Sequence, residues 1–184
     1  MRLFVALPIP EPARDEIAAL LVRLQSCEWP VRWISGEGLH ITLKFYGEVM
    51  PERLDVIAES VRFAAADAAP LAMRVAELGA FPSRRHARVL WLGLDAPPAL
   101  ELLQDRLERG GEQIGFPPEG APFRPHVTLG RVREGHRLPR AALEAFADSY
   151  DHIGFVADEV VLYESVLSPT GPRYEARLTV PLAG

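Results

Sequence analysis

The sequence predicts an α+β, two-lobed single domain: two antiparallel-rich sheets facing across a central cleft, helices outside, related by an approximate two-fold axis. Three observations lead there. Short apolar runs of β type alternate with stretches of helical period. The same order of elements occurs twice along the 184 residues. One phrase, His40-Ile41-Thr42-Leu43, returns as His126-Val127-Thr128-Leu129.

Leu3 to Leu7 is a short apolar run ended by Pro8 and Pro10, and reads as a buried strand. From Glu11 the period changes. Ile17, Leu20, Leu21 and Leu24 recur at helical spacing, and Pro12 suits the first turn. Pro30 follows that helix, and Val31 to Ile34 is a short strand. The turn Ser35-Gly36-Glu37-Gly38 leads into a strand from His40 to Tyr46. Strict alternation puts His40, Thr42 and Lys44 on one face, and Ile41, Leu43 and Phe45 on the other. Pro51 starts a second helix to about Ala66, with apolar positions Leu54, Ile57, Ala58, Val61 and Phe63. Ala72 to Leu78 reads as a strand, and Val89 to Leu94 as another. Between them Pro82 to Arg88 is a basic loop carrying Arg84, Arg85, Arg88 and His86.

The plan then restarts. Leu90 to Leu94, Pro97-Pro98 and a helix through Leu100, Leu103 and Leu107 mirror the first strand, its prolines and its helix. The offset is 90 − 3 = 87, and the two His-x-Thr copies stand 126 − 40 = 86 apart. A Pro-initiated helix is expected from Pro139 to about Ser149, then a strand from about Val156 to Tyr163. A polar loop from Ser168 to Arg173 and a closing strand from Tyr174 to Val180 complete the pattern. The chain therefore reads as one domain over 1–184 with an internal repeat, roughly 1–88 and 89–184. The hairpin-like loop before Leu90 leaves open an exchange of strands between the lobes.

Composition sets bounds on function. Hydrophobic residues make up 48% of the chain, enough for a sizeable core. A net charge of −5 argues against a protein that coats long nucleic acid through bulk charge. It leaves room for a local basic pocket, which a small phosphorylated ligand needs. Cys27 is the single cysteine, so no internal disulfide and no cysteine-based metal site can form. A reducing cytoplasm is the expected location. The apolar run at the N-terminus is too short for a signal peptide, and nothing approaches the roughly 18 apolar residues of a membrane span. No membrane association is expected, and a monomer is.

Residues i and i+2 of a strand point to the same side, roughly 6.5–7 Å apart. A His-x-Thr pair can thus grip different oxygens of one phosphate. Histidine titrates near neutrality and can give or take a proton, while a threonine hydroxyl donates a hydrogen bond to a non-bridging oxygen. In-line displacement at phosphorus requires one oxygen to lose a proton and the opposite one to gain it. Two facing histidines, His40 and His126, supply that base and that acid. Thr42 and Thr128 would hold the equatorial oxygens. The sequence does not decide which histidine plays which part. No metal and no cofactor is required. His86, His136 and His152 read as solvated residues, with His86 the one that could touch substrate.

At these residues the chain resembles the two-histidine phosphoesterases, specifically the RNA 2′,3′-cyclic phosphodiesterases also called 2′-5′ RNA ligases. The pieces that carry the resemblance are Arg2 to Ala6, Leu39 to Phe45, Gly79-Ala80-Phe81-Pro82, Phe123 to Arg131, Leu162 to Ser165, and Ser168 to Tyr174. It implies metal-independent hydrolysis of an RNA-terminal 2′,3′-cyclic phosphate to a 2′-phosphate. It also implies reversible, ATP-independent 2′-5′ joining of RNA ends such as tRNA fragments; the expected partners are such RNA ends or small cyclic nucleotides. Carried over, His40 is the proton donor to the departing 3′-oxygen and His126 the acceptor that activates water. Arg131, three residues after Thr128, is implied as a phosphate contact, although strict alternation turns it away from His126. Phe45, Arg84 and Arg85 are weaker candidates for base stacking or backbone contact. Phe45 lies on the apolar face with Ile41 and Leu43, and its residue-level reading is core. Two other functions compete: a module that binds a terminal phosphate without turnover, and a metal site built from the two histidines and carboxylates. Arg or Lys would serve simple binding better than histidine. No metal-ligand spacing supports the last.

Overall fold

The apolar run at the N-terminus forms β1 (Arg2–Pro8), buried throughout its centre. It lies in a computed structural model that describes residues 1–139, 141–146, 150–168 and 171–184. α1 (Ala13–Gln25) buries Ala13, Ile17, Leu20, Leu21 and Leu24 along one stripe. Asp15 and Glu16 in its first turn and Arg23 in its last complement the helix dipole. β2 (Val31–Trp33) and β3 (His40–Glu48) follow. Pro51–Arg53 is a single 3₁₀ turn that opens α2 (Leu54–Ala65). α2 buries Ile57, Ala58, Val61, Ala64 and Ala65. Phe63 does not join that stripe. Two residues past Val61 it falls on the opposite side of the helix and is 87% exposed.

β4 (Leu71–Phe81), β5 (Val89–Asp95), α3 (Pro98–Gln113) and β6 (His126–Val132) come next. The helix expected from Pro139 to Ser149 is not formed over the described residues. Ala142, Glu144 and Phe146 each donate their backbone N–H to the carbonyl three residues earlier, which is the tighter 3₁₀ pattern. The Tyr150 hydroxyl then donates to the Phe146 carbonyl, at 3.0 Å, and occupies an acceptor that a longer helix would use. Residues 140 and 147–149 lie outside the described residues.

The expected strand from Val156 to Tyr163 is two strands. β7 (Gly154–Ala157) and β8 (Glu159–Ser168) part at Asp158 and enter different sheets. Most of the loop expected at 168–173 is strand, because β9 (Gly171–Pro181) pairs with β8 as far as Ser168 opposite Gly171. Residues 169 and 170 lie outside the described residues.

The strands make two antiparallel sheets, ordered β3-β1-β8-β9 and β2-β6-β5-β4-β7. β8, from late in the chain, lies beside β1, and β4, from early in it, lies beside β5. Each sheet thus contains strands from both ends of the sequence. β3 and β6, which carry the two His-x-Thr phrases, pack against one another where the sheets meet. α3 packs on β3, and α2 on β8, β9 and α3. Leu3, Val5 and Leu7 of one sheet and Leu90, Leu92, Val127 and Leu129 of the other belong to one continuous core.

Candidate active site

The two His-x-Thr strands share an irregularity. Along β3 the partners on β1 run Val5 opposite Lys44 and then Ala6 opposite Thr42, so Leu43 is an extra residue. Along β6 the partners on β5 run Leu90 opposite Gly130 and then Trp91 opposite Thr128, so Leu129 is extra. Each is a β-bulge, which breaks the alternation of faces. Set opposite the threonines, Ala6 and Trp91 differ by 91 − 6 = 85, not the 87 read from Leu3 and Leu90.

The bulges correct the faces expected from alternation. Ile41 and Leu43 are buried as expected, but Lys44 is buried too, at 1% exposure. Phe45 is instead exposed, at 38%, and lies on the His40 and Thr42 face. The Arg2 guanidinium sits over its ring at 4.8 Å. On β6 the same step turns Gly130 inward and Arg131 outward onto the His126 and Thr128 face. Phe45 and Arg131 therefore occupy matching positions, each three residues beyond its threonine.

His40 donates from Nδ1 to the Gly38 carbonyl at 2.7 Å, and His126 donates from Nδ1 to the Arg124 carbonyl at 2.7 Å. In both, the acceptor is the carbonyl two residues earlier, and Nε2 is left as the reactive nitrogen. His40 Nε2 lies 3.1 Å from Thr42 Oγ1. The walls differ. His40 is packed against Phe4 (4.9 Å between ring centroids), Tyr174 (5.2 Å) and Tyr163 (6.5 Å). His126 meets Phe81 (5.2 Å) and Trp91 (6.3 Å), and its bond to Arg124 is at the surface. Burial holds the His40 pKa below its ordinary 6.5; the Gly38 hydrogen bond opposes this, and the charge of His126 adds to it.

Tyr163 and Tyr174 line a cavity of about 320 Å³ with His40, Arg14, Glu37 and Pro8. That is the scale of a nucleotide-sized pocket. Burial raises both tyrosine pKa values, so their hydroxyls remain donors at working pH. The charges of Arg131 and then Arg2 pull Tyr174 partly back. Phe4, Phe81, Trp91, Tyr163 and Tyr174 are site residues that sequence reasoning did not single out. Phe4, Phe81, Tyr163 and Tyr174 lay inside the signature pieces above, but a lone aromatic carries no signal of which face it will take.

Arg84 and Arg85 are not brought to the histidines. They lie on the 3₁₀ turn Arg84–His86 between β4 and β5, where Arg84 donates to the Leu78 carbonyl at 3.0 Å. His136 and His152 stand apart too, His136 bonded to the Glu134 carbonyl and His152 beside Glu16. Among the described residues no three His, Cys, Asp or Glu side chains gather closely enough to hold a metal ion. Among them also, no helix is long and apolar enough to cross a membrane.

The sequence and the fold are similar to those of known proteins. An RNA 2′,3′-cyclic phosphodiesterase of Methanothermobacter thermautotrophicus is 33% identical over 175 residues, covering 95% of each chain. One of Methanocaldococcus jannaschii is 32% identical over 180 residues, covering 95% of this chain and 97% of that one. A solved structure from Thermus thermophilus superposes with a TM-score of 0.80 at 28% identity, covering 100% of this chain and 99% of that one. The apo form of E. coli LigT gives 0.77 at 26% identity, covering 100% and 98%. Residues 9–168 match the family model of the 2′-5′ RNA ligase superfamily. With its two facing His-x-Thr strands on that fold, the chain belongs to the 2′-5′ RNA ligase superfamily.

Proposed function

We propose that the chain hydrolyses RNA-terminal 2′,3′-cyclic phosphates to 2′-phosphates, without a metal, through His40 and His126. The observation that carries this is the matched pair of imidazoles, each tied through Nδ1 to a carbonyl two residues back so that Nε2 is left to react, with His40 Nε2 beside Thr42. His126 Nε2 takes a proton from water as the oxygen attacks phosphorus. The bond from phosphorus to the 3′-oxygen breaks, and His40 Nε2 gives that oxygen its proton. Both protons are handled by the chain's own side chains. Thr42 and Thr128 donate to the equatorial oxygens, and Arg131 offsets their charge. Phe45, on the same face, offers a ring on which a base can stack. Run forward with an RNA 5′-hydroxyl in place of the attacking water, the same steps join two ends through a 2′-5′ linkage, as with tRNA fragments, and run backward they cleave it.

In this reading the halves, roughly 1–88 and 89–184, act as one unit, each giving one histidine. The relatives named RNA 2′,3′-cyclic phosphodiesterase support it. We also take the chain to act as a monomer in the cytoplasm, in keeping with its unpaired Cys27. Incubation with a 2′,3′-cyclic mononucleotide, with and without a chelator, tests the proposal. Equal formation of 2′-phosphate in both is expected. Tight binding without product would reduce the site to a phosphate-binding module.

A further inference from the structure

The basic loop is the one sequence feature that the histidine cleft leaves unused. Arg84, Arg85, His86 and Arg88 meet Arg137 and Leu138 around a small pocket of about 40 Å³. The two segments are joined. Arg88 donates its guanidinium to the His136 carbonyl at 3.4 Å, and its own carbonyl accepts from the Val132 N–H at 2.9 Å. Arg84 is partly neutralised by Glu77 at 3.4 Å. Among the described residues, no carboxylate pairs with Arg85, Arg88 or Arg137. Uncompensated arginines packed together in a chain of net charge −5 repel one another, and an anion relieves that repulsion.

The patch is continuous with the cleft. Arg88 precedes Val89, and Val89 stands opposite Arg131. From Arg131 the strand runs five residues back to His126, about 16 Å at roughly 3.3 Å per residue. A strand whose end lies between the histidines can leave past Arg131 onto this surface. The pocket beside His40 carries Glu37, and its Arg14 is already paired with Glu11. The charge therefore gives the exit a direction.

We propose that Arg85, Arg88 and Arg137, with Arg84 and His86 beside them, bind the ribose-phosphate backbone of the RNA strand that leads to the terminal phosphate. The proposal rests on the function above, since it names the partner of the same cleft. Its recognition is of charge, so it is independent of base sequence.

The double variant Arg88→Gln with Arg137→Gln tests this. Affinity for a 5′-labelled oligoribonucleotide ending in a 2′-phosphate is followed by fluorescence anisotropy across a salt series. Turnover of a 2′,3′-cyclic mononucleotide, which has no strand to bind, is followed beside it. The expected result is an affinity loss of about tenfold or more at moderate salt and a salt slope flatter by roughly 1.4, about 0.7 for each lost contact to a single strand. Mononucleotide turnover stays within twofold and shows that the variant is folded. Unchanged RNA affinity and slope would overturn the proposal, as would equal losses on both substrates. A wild-type protein that binds the oligonucleotide through these arginines but opens no cyclic phosphate would overturn the proposed function and leave this surface standing.

Discussion

At His40 the strand is held from its buried side by a charge, and at His126 it is held there by the lack of a side chain. Lys44 and Gly130 occupy matching places just past the two bulges. Lys44 Nζ donates to Glu108 Oε2 of α3 at 2.5 Å, and Gln104 bonds the other Glu108 oxygen at 3.2 Å. Gln104 also lies 3.5 Å from the carbonyl of Leu43, the bulged residue itself. Gly111 makes room for this, since a Cβ there would lie 2.2 Å from Lys44 Cε. Gly130 has β2 pressed onto it instead: an added Cβ would lie 2.6 Å from Val31 Cγ1 and 3.0 Å from the Arg32 carbonyl. The cleft-facing parts are alike, from the His-x-Thr phrase to the carbonyl anchor and the bulge. The aromatic walls differ, as do Phe45 and Arg131 at the matching cleft positions, and so do the supports behind the strands. What the reaction needs in duplicate is kept in duplicate, and what merely fixes a backbone has been solved twice.

The comparison breaks most sharply if the histidines are not equivalent partners. His40→Ala and His126→Ala should each lower kcat by about 10²–10⁴-fold with the melting temperature little changed, checked by steady-state assay and thermal denaturation. The two supports should fail differently. Lys44→Met leaves the Glu108 carboxylate buried without its partner and should cost about 3–5 kcal/mol in denaturant unfolding. Adding Glu108→Leu should recover much of that loss. Thr42→Val and Thr128→Val should each cost about 10²–10³-fold in kcat, as for one lost oxyanion donor. Thr42→Val should in addition disturb the His40 pKa, because the hydroxyl lies on its Nε2. Gly130→Ala must push on backbone as well as side chain and should destabilise by about 1–3 kcal/mol.

The smallest effect is in pH. Burial lowers the His40 pKa, so the folded, unliganded protein favours the neutral ring. The unfolded state binds more protons there. The resulting stability is present above the ordinary value of 6.5 and is lost as pH falls through the lower folded value. In catalysis a neutral His40 is a poor acid until the phosphate arrives with its negative charge. The alkaline limb of kcat/KM, which reports the free enzyme, should therefore lie at lower pH than that of kcat, which reports the complex. Coincident limbs would show that substrate does not raise His40.

Much of this was legible in the sequence, for stated reasons. The apolar spacing of Ile17, Leu20, Leu21 and Leu24 fixed α1, and the doubled phrase marked the two strands that meet at the cleft. Period-two reasoning failed at Leu43 and Leu129. A bulge adds one residue without any change in composition, so Lys44 read as polar-faced and Phe45 as core. The same hidden step resolves Arg131, which alternation had turned away and the bulge turns back. Over the described residues the second-half helix gives way to 3₁₀ bonds at Ala142, Glu144 and Phe146 and to the Tyr150 hydroxyl on the Phe146 carbonyl, which apolar spacing alone does not foretell. Tyr163 and Tyr174 were out of reach, since they reach His40 only through pairing of β8 with β1 and β9.

The most direct test of the paired histidines follows phosphorus itself. A 2′,3′-cyclic mononucleotide is incubated with the protein, with His40→Ala and with His126→Ala, and the products are read by ³¹P NMR. The two-histidine account predicts 2′-phosphate alone from the wild type and no detectable product from either variant on the same timescale. A 3′-phosphate product, or wild-type turnover by either variant, would contradict it.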